Sequence, residues 1–198
     1  MLNDRSSALS LLRTRRSAKP RDLIGPAPSP AEFEQIIAIA ARTPDHGGLA
    51  PWRFVAVAED QRDDLAKLLL TALAEDNPEA GPAHRDKETS FAHFSGQLVV
   101  VVSAPVHDHK IPVCEQELSC GAATMNLLLA AHALGLGSAL TTITTVFGDE
   151  LRSLLALPDH VRPLGVVPLG WPAKQLGPPR RTPVAEKTFR DRYGTSWS

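Results

Sequence analysis

A surplus of either charge is missing from this sequence: 21 Lys and Arg face 22 Asp and Glu, for a formal net charge of -1. Gripping a polyanion takes a basic excess, so nucleic acid is excluded as a partner. Cysteine is scarce. Cys114 and Cys120 fall in one helical pattern and point roughly 120° apart at 100° per residue, so a single helix can neither pair them nor give them a shared metal. Two reduced thiols fit a reducing compartment. With no apolar leader at the N-terminus, the expected location is cytoplasmic.

Motifs that carry chemistry are equally sparse. There is no Gly-x4-Gly-Lys phosphate loop. Gly135-Leu136-Gly137 lacks the third glycine of a dinucleotide fingerprint and sits between a helix and a strand, the reverse of the required order. No Gly-x-Ser-x-Gly elbow is present, which argues against an esterase. His107 and His109 have no third ligand nearby, so no metal site is expected. Glu115 and Glu117 would point about 200° apart on a helix and do not form a carboxylate dyad.

One stretch does call for a membrane test. Leu118 to Leu140 carries no formal charge and is long enough to span a bilayer. Ser119, Asn126 and His132 interrupt it, as do Gly121, Gly135 and Gly137, and no aromatic belt or basic stop flanks it. A buried central helix over 113–134, running into a strand, explains the run better.

With 43% hydrophobic and 22% charged residues, the 198-residue chain has the composition of one ordinary soluble domain. Helices are expected over 5–16, from Ser29 to about Arg42, after Asp60, over 113–134 and over 149–156. Strands are expected at Phe54–Ala58, Leu98–Val102, Ser138–Ile143 and Pro163–Leu169. Ser29, Pro30 and Glu32 make a capping box, and Pro44 stops the second helix. Residues 76–92 are polar and read as a mobile lid or surface excursion. The alternation implies an α+β fold of three layers, α/β/α, with a mixed sheet and the long apolar helix at its centre. A core over about 8–190 carries an extended C-terminal arm over 173–198. That arm is rich in Pro and Arg, holds Phe189, Tyr193 and Trp197, and is suited to wrapping a partner subunit.

Two stretches either side of the second helix stand out. Arg15-Arg16-Ser17 offers two guanidinium groups and a hydroxyl, a match for phosphate oxygens; the alternative is a basic helix end. Arg42-Thr43-Pro44-Asp45-His46-Gly47-Gly48 and the following Pro51-Trp52 offer a cation, an imidazole and a bend where backbone can approach a flat ring. The alternative here is a helix C-terminus closed by a glycine turn. Cations for a phosphate and a bend for a ring together suggest a phosphorylated planar cofactor, best met by flavin mononucleotide.

Read together, these residues resemble the nitroreductase family of flavin enzymes, in particular its YdjA-like branch. Arg15-Arg16-Ser17 looks like that family's phosphate-binding start. Ala41 to His46 with Pro51-Trp52 looks like its flavin-contacting loop. Glu115 to Ser119 with Gly121 is similar to the branch's central dimer helix, and Leu169-Gly170-Trp171-Pro172 resembles its closing turn. The resemblance implies a homodimer with FMN at the subunit interface. Arg15, Arg16 and Ser17 would hold the phosphate and ribityl chain. Arg42 and His46 would reach a flavin shared with the other subunit. Leu140, Thr141 and Thr142 align with a flavin-contacting strand that reads Trp-Arg-Ser in the branch. Arg180 or Arg181 would add a phosphate contact, and Ala130 to Gly135 is the stretch the branch associates with the nicotinamide cofactor. Gly48 and Ala50 stand where many members carry Asn and Gln, so two side-chain bonds to the flavin are absent here.

The implied activity is ping-pong hydride transfer from NAD(P)H through FMN to an electron-poor acceptor such as a nitroaromatic or a quinone. The flavin would carry the chemistry, with no catalytic side chain required. A reductase for another acceptor, such as an enone or a halogenated aromatic, is the rival among enzymes. A flavin-binding protein without turnover, acting as carrier or sensor, is the alternative from another class. A cofactor-free interaction module built around the aromatic arm is a third reading.

Overall fold

Among the described residues, five strands and six α-helices account for the core. The computed structural model describes residues 3–142 and 149–197. The strands are β1 (Leu23–Ile24), β2 (Trp52–Ala56), β3 (Gln97–Ser103), β4 (Gly137–Ser138) and β5 (Arg162–Pro172). They form one sheet in the order β1-β5-β3-β2, with β4 also paired to β5. Strand β3 is the hub. Val99 and Val101 face one side, with Ile36, Ala40, Leu127 and Ala131 of helices α2 (Pro30–Ala40) and α5 (Val113–Leu134). Leu98, Val100 and Val102 face the other, with Leu65, Leu69, Phe91 and Leu151 of α3 (Arg62–Asp76), α4 (Pro82–Ala92) and α6 (Asp149–Leu154). Strand alternation therefore feeds two separate cores and yields the three α/β/α layers expected. Each fully buried Val or Leu contributes roughly 1.5–3 kcal/mol.

The α+β class holds, but the sheet differs in one respect. Every pairing among the described strands is antiparallel, where a mixed sheet was expected. The unbroken Leu98–Val102 run reports burial on both faces; it says nothing of strand direction, because an antiparallel strand sandwiched between helix layers is equally apolar.

The polar segment 76–92 is also not a lid. It contains α4, opened by Pro82 in the first turn and docked on α3 through buried Phe91 and Ala92. Buried Arg62 fastens the end of that helix, donating from Nη1 to the Ala92 carbonyl and from Nη2 to the Gly96 carbonyl, both at 3.1 Å. Only the last turn of α4 is apolar, which is why composition hid it.

Element ends shift in the usual way. Helix α1 is Ala8–Thr14, started by Ser7, whose Oγ accepts the Ser10 N–H at 3.0 Å. Strand β2 begins at Trp52, two residues before the expected Phe54. Asp60 lies in a 3-10 turn, and Gln61 is the residue preceding α3. The capping box of α2 is present in both directions, with Glu32 N donating to Ser29 Oγ and Ser29 N to Glu32 Oε2. Helix α5 ends as expected, at left-handed Gly135 with φ 97°. Beyond β4, Thr141 bridges to Val166; Ile143, the expected end of that strand, lies outside the described residues. No described helix is long and apolar enough to cross a membrane.

After β5 the arm starts from a fixed root, with Ala173 N donating to the Asp22 carbonyl at 3.0 Å and Lys174 paired with Asp22 at 2.7 Å. It ends in a small loop closed by a Phe189–Ser196 bridge, in which the Phe189 and Tyr193 rings lie 4.7 Å apart and Arg190 sits 5.6 Å over Trp197.

Candidate functional site

The chain leaves α1 at Arg15 and runs extended beside β4. Ala18 N donates to the Ser138 carbonyl at 3.1 Å, and Arg16 N donates to Asn3 Oδ1 at 2.7 Å, so the backbone of the Arg15-Arg16-Ser17 segment is fixed. Its side chains converge. Arg15 Nη1 donates to Ser17 Oγ at 3.1 Å. From the arm, Arg181 Nη2 donates to the Arg15 carbonyl at 3.2 Å, while Arg16 Nε donates to the Gly177 carbonyl at 3.2 Å. Partial burial, then the charges of Arg181 and Arg16, hold the Arg15 guanidinium below its ordinary pKa. Among the described residues, no carboxylate lies in ion-pair range of Arg15, Arg16 or Arg181. Three cations and a hydroxyl gathered without a protein counter-charge fit a phosphate dianion.

Directly behind this segment, at the end of α5, lies His132. It is fully buried, and neither ring nitrogen has a hydrogen-bond partner among the described residues. Burial, then the Arg15 charge, push its pKa down from 6.5 to about 4; the carbonyls of Leu128 and Arg16 face it and offset this in part. The imidazole is therefore neutral at pH 7. It lines a cleft of about 160 Å³ with Asn3, Arg5, Gly135 and Lys174.

The second stretch is stitched to the outer part of α5. Thr43 Oγ1 accepts from Asn126 Nδ2 at 2.7 Å, Ser119 Oγ donates to the Pro44 carbonyl at 2.9 Å, and His46 Nδ1 meets Glu115 Oε2 at 2.8 Å. Arg42 and His46 are exposed. The bend after them turns through left-handed backbone at Gly47 (φ 81°), Gly48 (φ 66°) and Ala50 (φ 47°). The positive φ at Gly47 favours glycine, and a Cβ there would also push the tip of the Ile111 side chain aside. The third predicted piece, Leu140 to Thr142, lies against β5. The Thr141 N–H and carbonyl both bond Val166 at 2.9 Å, which commits that backbone to the sheet; Leu140 and Thr142 remain exposed. Gly165 allows this approach, because a Cβ there would meet Leu140 Cδ1 at 2.6 Å.

The phosphate segment and His46 do not meet within one chain. The phosphate segment is level with His132, and His46 is level with Glu115. At 1.5 Å per residue the two levels are roughly 25 Å apart along α5, longer than a flavin mononucleotide. The exposed residues of α5 between them, Leu118, Gly121, Ala122 and Met125, follow helical spacing and form an uncharged stripe that begins beside exposed Cys114 and Glu115. Leu118 is 74% exposed.

Sequence reasoning missed the positioning residues Thr43, Ser119 and Asn126, and the buried His132. The signal existed for two of them: Ser119 and Asn126 are polar interruptions seven residues apart, hence on one face of an otherwise apolar helix.

Helix layers on both faces of an antiparallel sheet, with an uncompensated cation cluster beside it, describe an α+β protein with a candidate anion site. Comparison with known proteins makes the class definite. The model of the Nitroreductase family matches residues 12–171. An assigned NAD(P)H nitroreductase of Haemophilus influenzae is 34% identical over 164 residues, covering 82% of this chain and 87% of that protein. The assigned NAD(P)H nitroreductase YdjA of Escherichia coli K12 is 30% identical over 169 residues, covering 83% and 88%. A crystal structure of oxidized iodotyrosine deiodinase bound to FMN and 3-iodo-L-tyrosine shares the fold, with a TM-score of 0.69 at 22% identity over 94% of this chain and 98% of that one. The chain belongs to the nitroreductase family, which supports a flavin-dependent oxidoreductase.

Proposed function

We propose that the chain is an FMN-dependent NAD(P)H oxidoreductase that works as a homodimer, with each flavin held between two copies, in the cytoplasm. The observation that carries this reading is the gathering of Arg15, Arg16 and Arg181 around Ser17 with no described carboxylate. A terminal phosphate answers it, and the FMN of the structural neighbour carries one. The chain is read as a single domain with its arm.

Arg15, Arg16, Ser17 and Arg181 hold the phosphate end. Leu140 to Thr142 would line the ring. Arg42 and His46 would reach it from the second copy: His46 lies at the level of Glu115, roughly 25 Å or seventeen helical residues from the phosphate segment, and Arg42 stands on the same loop, beside Thr43 at the level of Asn126. When bound, FMN supplies hydride acceptance from NAD(P)H and its delivery to an electron-poor acceptor, a nitroaromatic or a quinone. The protein would orient the ring, and the Arg42 cation would offset the negative charge that reduction builds on it. Glu115 holds the His46 ring at 2.8 Å and so fixes the direction of its other nitrogen.

The test is steady-state NAD(P)H oxidation by the FMN-loaded protein with a nitroaromatic or a quinone. Parallel double-reciprocal lines are expected of a ping-pong sequence; converging lines would reject it. A second reading, a flavin carrier without turnover, draws on Gly48 and Ala50, which offer no side-chain bond to a ring. Flavin bound tightly with no oxidation above the free-FMN rate would favour it.

A further inference from the structure

Beyond residue 171, where the family match ends, the chain continues for an arm that buries little of itself. Among the described residues of the arm, partly buried Leu176 is the one packed against the core. Past that residue nearly every side chain is exposed, Tyr193 at 94%. Hydrophobic burial, the usual means of seating a segment, is missing. What ties the arm down is polar: Arg16 Nε to the Gly177 carbonyl and Arg181 Nη2 to the Arg15 carbonyl, each 3.2 Å. Both ties place cations beside one another, and the charges of Arg181 and Arg16 bear on Arg15. Two exposed hydrogen bonds are small against the conformational entropy of ordering roughly twenty residues. The protein's own contacts thus leave the seated arm short of stabilisation, with three like charges against it as well.

We propose that the arm beyond Leu176 is a strap seated by a phosphate dianion that Arg15, Arg16 and Arg181 share, so that cofactor occupancy sets whether the arm leading to the aromatic end at Phe189–Trp197 is seated or released. This rests on the flavin reading above. A terminal phosphate monoester brings two negative charges and reduces the local sum from three positive to one. It also gives Arg181 a charged partner that sits on the core, so the arm and the phosphate segment close on the same group. The root, held by Asp22 through Ala173 and Lys174, stays in place in either state. The released part begins after Leu176. Riboflavin, with the same ring and no phosphate, would not seat the arm.

The experiment is limited trypsin digestion of the full-length apoprotein, alone and with FMN, riboflavin or inorganic phosphate. Mass spectrometry reads cleavage after Lys187, Arg190 and Arg192, and quenching of flavin fluorescence reads binding in parallel. FMN is expected to slow cleavage in the arm at least tenfold. Riboflavin is expected to leave it unchanged, and high inorganic phosphate to protect in part. In Arg181→Gln, the protection by FMN is expected to vanish while flavin quenching persists at higher FMN concentration. Equal cleavage of the arm with FMN demonstrably bound, or equal protection by riboflavin, would overturn the strap and leave the flavin site standing. No quenching by FMN at any concentration would instead overturn the flavin reading, and protection by phosphate alone would then still support the anion-seated arm.

Discussion

Replacing Leu118 by Arg should abolish flavin binding from a position that touches neither half of the site. Leu118 lies mid-stripe on α5, 74% exposed, between the level of the phosphate segment and the level of His46. If a second copy covers this stripe, each Leu118 buries most of a leucine side chain, worth about 1.5–2 kcal/mol, and a two-fold contact counts it twice. Arg removes that gain and asks two guanidinium groups to be desolvated together, which costs several kcal/mol more. A total near 5 kcal/mol corresponds to a dissociation constant raised more than a thousandfold. Because Leu118 points away from both core clusters, the monomer itself should stay folded. Light scattering at micromolar protein should report a dimer for the unaltered chain and a monomer for Leu118→Arg, with an unchanged far-UV spectrum. Flavin fluorescence should show FMN bound by the first and not by the second. A monomeric variant that binds FMN with unaltered affinity would refute the division of the site between two copies.

Other substitutions address single contacts. Arg16→Ala should weaken FMN affinity by roughly 1.5–3 kcal/mol, the range for a charge-assisted bond, measured by fluorescence quenching; unchanged binding removes Arg16 from the site. Arg62→Leu should destabilise the fold by about 3 kcal/mol, because the Ala92 and Gly96 carbonyls each lose a donor, and urea unfolding reads this directly. Ala50→Gly should stabilise by about 0.5–1 kcal/mol, since φ 47° suits glycine better than alanine; an equal or lower melting temperature would count against strain there. His132 sets a pH dependence. Its folded pKa, about 4, lies below the unfolded 6.5, so its contribution is complete above pH 6.5 and is lost as pH falls toward 4, by about 3 kcal/mol in all. His132→Leu should flatten stability between pH 4 and 6.5, and an unchanged pH profile would mean that another group controls it.

Much of this molecule was legible in order of appearance. Ser29, Pro30 and Glu32 announced α2, and Gly135 announced the end of α5, because capping is local chemistry with local signals. Strand direction was not legible, since burial on both faces gives the same valines in either sense. Helix α4 was hidden because its stabilising contacts come from elsewhere: Arg62 and the α3 surface recognise only Phe91 and Ala92 at its end. The cations of the candidate site could be named from the sequence as types. Their gathering was implied by the family resemblance and not by spacing, because Arg181 reaches Arg15 across 166 residues of chain.

The distribution of the candidate site follows from the same helix that hid part of it. Helix α5 presents polar residues to the core side at Ser119 and Asn126, where they hold the Pro44 carbonyl and Thr43, and a bare stripe at Leu118, Gly121, Ala122 and Met125 to solvent. One face fixes the loop that carries Arg42 and His46; the other is free to meet its own copy. Two such helices crossing near Gly121, where a Cβ would meet nothing within 4 Å, would bring the His46 end of each toward the Arg15 end of the other. A residue with bulk at that crossing should therefore act on the flavin through geometry alone. Gly121→Leu is expected to lower FMN affinity and dimer stability together, in proportion across a series of side chains of increasing size. Loss of one without the other would separate the helix contact from the cofactor site.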